Sequence, residues 1–400
     1  MRGVRRSAFL LYLGIFVGEV VWTALVPLVP TYSQHYGLSK LESGMLLAAA
    51  SVTILAVSIP ATVLADRFGA RRLTLAAMML MALSDLATGL SGSFWELLAS
   101  RMLFGVGFGI VWTTGVGWLG EVAGTSQARA LSLTVTTAGL GGITGPAFAG
   151  IAVERYGLAA PFVACALVTA AVFAGMLTIP ATTGQRPEST LPLATTIRRV
   201  AGDRLVLASL LTMTLGGFVG GAVNLLAPLQ LHRNGLSEST IGLVFSIAAL
   251  TFIASSALVA RFGERAASVR IACLGAAAMA VALLLVVAST SSQAVIGFLL
   301  ARGPISALMF TITFPLGVVG ARRAGISLTA VAALLNIVWS AAALIGPIAA
   351  GAMAETTSSQ ATYVCLIATL LIGAAWMAQA HGEERSARYA RESAYRTSGR

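Results

Sequence analysis

Four ionisable side chains stand where the surrounding sequence is otherwise apolar: Glu19 in FVGEVVWTALVPLVP, Asp85 in MALSDLATG, Arg101 in LLASRMLFG and Arg302 in FLLARGPIS. A charged group at the centre of a bilayer costs roughly 3 kcal/mol even on lenient scales, so such residues are rare and mark a site by default. Glu19 lies about a dozen residues into its apolar run, near the middle of a membrane-crossing helix. Desolvation disfavours the ionised form of a carboxylate, so a group at that depth is a candidate for loading and unloading a proton near neutrality. Phe16, Trp22 and Thr23 lie three or four positions away on the same helical face, and Tyr12 lies a turn further. Aromatic rings around a carboxylate suit an organic cation, which would compete with the proton for one site. The alternative is that Glu19 is a structural partner of Arg101.

Arginine stays protonated, so Arg101 needs a carboxylate or backbone carbonyls nearby, and Glu19 and Asp85 are the acids deep enough to serve. A fixed structural charge is one reading of Arg101 and the favoured one for Arg302. Asp85 falls nearer the outer side of its helix, as a second proton site or a polar contact at a cavity edge. Asn224 and Asn336 could bind a solute or hold helices together.

Long apolar helices must position these groups. Of the 400 residues 57% are apolar and 10% charged, and the mean hydropathy is +0.87. That excludes a soluble globular chain. Apolar runs of about 18–25 residues, each long enough to cross roughly 30 Å of hydrocarbon, recur twelve times. They fall at 8–32, 43–65, 73–91, 94–118, 128–152, 158–180, 205–231, 238–260, 268–289, 293–318, 324–353 and 361–380. The runs are continuously apolar rather than alternating, which predicts helices and not a barrel. The MRGVRRS start resembles a signal peptide, but the apolar run continues into PLVPTY, so an uncleaved first helix is expected.

The net charge of +11 is scattered through short loops, so no nucleic-acid partner is expected. Arg2, Arg5, Arg6, Arg67, Arg71, Arg72, Arg186, Arg198, Arg199, Arg204, Arg261, Arg265, Arg270, Arg322 and Arg323 all fall on one side. The opposite loops carry only Lys40, Arg155 and Arg233. The positive-inside rule therefore places both termini in the cytoplasm. The Arg-rich composition suggests a bacterium, hence a multi-pass protein of the inner membrane. Cys165, Cys273 and Cys365 read as free thiols packed among helices.

The chain is written twice. GLS at 37–39 recurs at 235–237, RFG at 67–69 recurs at 261–263, Arg101 matches Arg302, and ITGPAFAG at 143–150 matches LIGPIAAG at 344–351, all offset by 194–201 residues. The reading is an all-α membrane protein of twelve transmembrane helices in two pseudo-symmetric six-helix bundles. Residues 1–180 form the first bundle, 181–204 a cytoplasmic linker, 205–380 the second bundle, and 381–400 a solvated, weakly ordered tail.

These segments resemble the major facilitator superfamily. LADRFGARR, 64–72, is similar to the family's loop between helices two and three, with Asp66, Arg67, Gly69, Arg71 and Arg72 in place. SRMLFGVGFG, 100–109, is similar to its fourth-helix pattern. GLGGITGPAFAG, 139–150, resembles the fifth-helix pattern of the antiporters through Gly141, Gly145, Pro146 and Gly150. ALVPLVPTY, 24–32, resembles the first-helix proline pattern of twelve-helix drug/proton antiporters. The resemblance implies that Arg101 assists proton movement and that Asp66 bridges to the second half as an inner gate.

No metal-ligand spacing joins His35, His232 and His381, and no GxSxG, Walker or CxxC pattern is present. Neither an enzyme nor a cofactor is expected, and without an ATP site the driving force must be an ion gradient. The expected function is a monomeric, proton-coupled exporter of a small amphipathic or cationic compound. The alternatives are proton-coupled import of a nutrient, or a membrane sensor on a transporter fold.

Overall fold

The structure, a computed structural model, describes residues 2–123, 127–179, 193–262 and 268–398. Its first half comprises α1 (Arg2–Tyr36), α2 (Lys40–Phe68), α3 (Ala70–Leu90), α4 (Phe94–Ile110), α5 (Val116–Ala123), α6 (Gln127–Tyr156) and α7 (Ala160–Met176). A π-helical turn, Val111–Gly115, joins α4 to α5 into one long rod. After a short helix α8 (Leu193–Gly202) come α9 (Arg204–Arg233), α10 (Glu238–Ala260), α11 (Val269–Ala288), α12 (Ser292–Ala324), α13 (Leu328–Thr356) and α14 (Ser359–Ser398). Ten helices among the described residues are long and apolar enough to cross a membrane, and α6 with α7 makes a further pair bent by 120° at the break. That pair is two crossings rather than one. The start of α7 lies beside Gly89 at the far end of α3, and its last turn, at Gly175, lies beside Leu10 near the start of α1. The molecule is therefore a twelve-crossing, all-helical membrane protein.

The repeated GLS triplet is a stop followed by a start. Gly37 and Gly235 adopt φ of +65° and +85°, which a side chain would strain, and so end α1 and α9. Ser39 and Ser237 then accept backbone N–H groups of Glu42 and Thr240 and begin α2 and α10. Arg71 donates to the carbonyls of Ile179 (2.8 Å) and Leu177 (3.0 Å), capping the end of α7.

Each bundle has its own apolar core, one around Val21, Met78, Phe104 and Phe162, the other around Leu225, Met279, Phe298 and Leu370. Between the bundles α2 packs along α13 and α6 along α10. These contacts concentrate at the end away from the arginine-rich loops. There the carbonyl of Pro146 lies against Gly242 and that of Pro347 against Gly44, the same contact made twice by the two repeats. A Cβ on either glycine would overlap the facing backbone. Ala147 N–H donates to Ser246 Oγ (3.0 Å), Thr31 donates to Glu238 Oε1 (2.8 Å), and Gln34 Nε2 meets His232 Nε2 at 2.7 Å. Lys40 Nζ donates to the Ala354 carbonyl. At the arginine-rich end Asp66, Arg67 and Arg72 of α2 and α3 are exposed, as is Asn336 in the facing part of α13. One end is sealed and the other is splayed.

Of the linker expected at 181–204, residues 181–192 lie outside the described residues and the rest carries α8. The tail expected to be solvated and weakly ordered continues α14, which runs to Ser398. In the sequence Glu384, Arg388, Glu392 and Arg396 stand four apart among good helix formers, a spacing that supports a helix without tertiary packing.

Candidate functional site

A cavity of 370 Å³ lies between the bundles, within the range of drug-sized ligand sites. From the first bundle it is walled by Trp22, Thr23, Arg101, Gly142 and Pro146, and from the second by Asn224, Phe252, Arg302, Phe310, Trp339 and a run of glycines on α9, among others. Trp22 stacks on Phe108 (centroids 5.6 Å apart) and meets Trp339 of the other bundle at 6.1 Å, so the two indoles close one side of the chamber. Phe252 and Phe310 meet edge to face at 6.1 Å. Aromatic pairs of this kind present broad apolar contact at small conformational cost.

Glu19 is not on that wall. It stands a helical turn from Trp22 towards the splayed end, partly buried, with Trp112 Nε1 donating to its Oε1 at 3.1 Å. Trp112 belongs to the π-helical turn, a local widening that recurs at functional sites. Close approach of α6 to Glu19 depends on Gly141, where a Cβ would come within 2.7 Å of the Glu19 Cβ, and Gly145 packs likewise against Val20 and Thr23. Gly150 instead faces α10 at the sealed end. The fifth-helix glycines thus serve two interfaces, one beside the carboxylate and one between bundles. Phe16 and Tyr12, partly buried, pack against the first core.

Arg101 is 1% exposed. Its guanidinium lies over Phe104 (4.5 Å) and Phe162 (5.7 Å), and its Nε and Nη1 have no hydrogen-bond partner. The other deep charge of this bundle is Asp85, also wholly buried, which makes no direct ion pair with Arg101, takes a long 3.4 Å hydrogen bond from Thr169 and leaves Oδ1 unpaired. Asp85 therefore sits behind Arg101 inside the first bundle, not at the cavity edge. The two deep acids have different company: Asp85 has the Thr169 hydroxyl, and Glu19 has an indole. Across the cavity Arg302 Nη1 donates to Asn224 Oδ1 at 3.2 Å. Asn224 lines the chamber, whereas Asn336 is exposed on α13 and does not.

The sequence matches the description Major Facilitator Superfamily over residues 11–339. The chain belongs to the major facilitator superfamily. Its fold matches that of a bacterial homologue of the human lysosomal transporter Spinster, solved in inward-facing unoccupied and occupied forms. The unoccupied form gives a TM-score of 0.76 at 16% identity, over 94% of this chain and 97% of that one. Among relatives by sequence, the Salmonella paratyphi B protein named "Putative multidrug resistance protein MdtD" is 31% identical over 152 residues, 38% of this chain and 32% of that protein. Multidrug resistance protein MdtG of Yersinia enterocolitica is 28% identical over 178 residues, 42% of each. The chain thus spans about a third of the length of the first of these relatives.

Trp112 has no part in the sequence reading, and Arg302, favoured there as structural, stands on the cavity wall. The reach of Trp112 depends on the π-turn, which has no sequence signal. For Arg302 a signal existed: between Arg204 and Glu355 the acids are Glu238, the first residue of its apolar run, and Glu264, in a loop, so no carboxylate of the second bundle stands at mid-membrane depth.

Proposed function

We propose that this protein exports a small amphipathic compound in exchange for protons by alternating access, with Glu19 carrying the proton. The observation that carries the reading is an aromatic-lined chamber between two bundles, sealed at one end by paired Gly–Pro contacts, with an uncompensated carboxylate one turn away towards the open end. Transporters of parallel repeats bind substrate and coupling ion near the midplane at the repeat interface, where this chamber lies. The arginine-rich end faces the cytoplasm of a bacterial inner membrane, so the state seen here is open inward, and both termini are inside. The export direction is supported by the antiporter-like fifth-helix glycines and by relatives named for multidrug resistance. Asp66, exposed at the open end, is the acid that meets the start of α13 when that end closes, where the partial positive charge of a helix N-terminus attracts it. The functional unit is a monomer.

The test is flux in proteoliposomes. Substrate-induced proton movement opposite to substrate marks exchange; proton entry alongside substrate marks import by symport, and absence of substrate-dependent flux marks a sensor. Glu19→Gln abolishes pH-dependent exchange. Unchanged exchange with unchanged pH dependence removes Glu19 from the mechanism.

A further inference from the structure

We infer that the cargo of the central cavity is an amphipathic organic anion, a carboxylate, sulfonate or phosphate on an apolar body, anchored by Arg302 with Arg101 facing it; this rests on the transport reading above. Among the residues on the cavity wall the two charged ones are both arginines, one from each bundle. Glu19, the acid that suggested a cation, lies outside that wall. The two guanidiniums differ in how their charge is met. Arg101 has Asp85 behind it, yet keeps two buried donor nitrogens without partners. Arg302 has one neutral amide oxygen, and the helices around it carry no acid between their ends. Its planar fork presents five donors, and one side-chain hydrogen bond leaves most of them for a ligand.

The backbone opposite is shaped for that group. Gly220 faces Arg302, and a Cβ there would come within 3.3 Å of Nη2. The remaining wall, Trp22, Trp339, Phe252 and Phe310, offers apolar contact for the body of the solute. A cation in this chamber would meet two like charges and no carboxylate. An anion would meet the bidentate donors that recognise carboxylate and phosphate best.

Equilibrium dialysis of the full chain in phosphatidylcholine nanodiscs, against empty nanodiscs, tests this with 2-naphthylacetate, 2-naphthylethanol, 2-naphthylethylammonium and dodecanoate. The expected result is that an anion binds at least about tenfold tighter than the ammonium compound, an order set by charge-assisted pairing. Arg302→Gln removes that preference while the alcohol still binds, and Arg302→Lys retains part of it. Gly220→Ala, which crowds Nη2, weakens the anions selectively and carries the test should Arg302→Gln not hold the alcohol. Preference for dodecanoate over naphthylacetate, lost in these variants, assigns a chain-bearing lipid anion; the reverse assigns a compact aromatic acid. Tighter binding of the ammonium compound, binding of neither anion, or an anion preference that survives both Arg302→Gln and Gly220→Ala overturns the inference. Proton-coupled flux is measured separately in proteoliposomes, so the anion preference can stand where exchange fails, and exchange can stand where the preference fails.

Discussion

Glu19 and Asp85 lie within the same bundle, and their neighbours give them different roles. Asp85 and Arg101 are opposite charges buried in one bundle without a direct ion pair; removing one leaves the other's charge uncompensated, whereas replacing both by apolar groups is often neutral. Asp85→Leu should therefore lower the thermal unfolding temperature strongly, and Asp85→Leu with Arg101→Met should recover most of the loss. Unfolding curves in detergent read both; a double variant as unstable as the single one would mean that the two groups are not coupled. Glu19 has no such charge partner among the described residues, so Glu19→Gln is expected to cost little stability and to act on flux. The donor on Glu19 is testable too. Trp112→Phe keeps a ring near Phe108, which Trp112 meets edge to face at 6.4 Å, and deletes the N–H. A hydrogen bond to a charged group contributes ~1.5 kcal/mol, so exchange should slow about tenfold while its pH dependence persists. Depth along the chain was legible for all of these residues because an apolar run fixes height in the membrane. Which face of the helix points at which neighbour was not, and that is why Asp85 falls behind Arg101 and Asn336 falls outside the cavity.

At the scale of elements, the duplicated sequence announces most of the architecture. Spans, turn positions and the GLS stop–start signals follow from composition and capping chemistry. The antiporter-like glycines were legible as surfaces for close approach, but their division between α1 and α10 was not, since glycine spacing does not name the partner. The repeat does make their role at the sealed end symmetric: Gly242 against Pro146, and Gly44 against Pro347. Adding side-chain volume to a tight contact typically costs ~1–3 kcal/mol. Gly44→Val and Gly242→Val should each shift the population towards a state open at that end. Labelling of a cysteine placed at Leu47, which lies on the cavity wall near that seal, reads the shift. Faster labelling from that side is expected, and an unchanged rate in both variants would mean the glycines pack without gating. The same end holds the Gln34, His232, Glu238 and Thr31 contacts between bundles, so Glu238→Gln should add to either glycine variant.

For the whole molecule, the sequence showed two halves but not their relative tilt, because alternating access requires one chain to fit two arrangements of similar energy. The charge of the cargo decides how that cycle responds to voltage. Moving one elementary charge across the membrane exchanges ~2.3 kcal/mol per 100 mV. If an anion leaves while a proton enters, both steps carry positive charge inward, two charges in all per one-for-one turnover. An inside-negative potential then drives export through both. If a cation leaves while one proton enters, the charges cancel and the potential has no lever. Arg101 and Arg302 stay protonated throughout, so they move with the protein and add no carried charge of their own. Proteoliposomes with an imposed potassium diffusion potential separate the two cases at fixed pH gradient. Exchange of an organic anion should accelerate as the interior becomes more negative and slow when the sign is reversed, with current accompanying flux. A rate indifferent to potential, with no current, would assign electroneutral exchange and remove the two-charge cycle. In Glu19→Gln the anion would carry one charge rather than two, so any remaining flux should keep a voltage dependence of half the size.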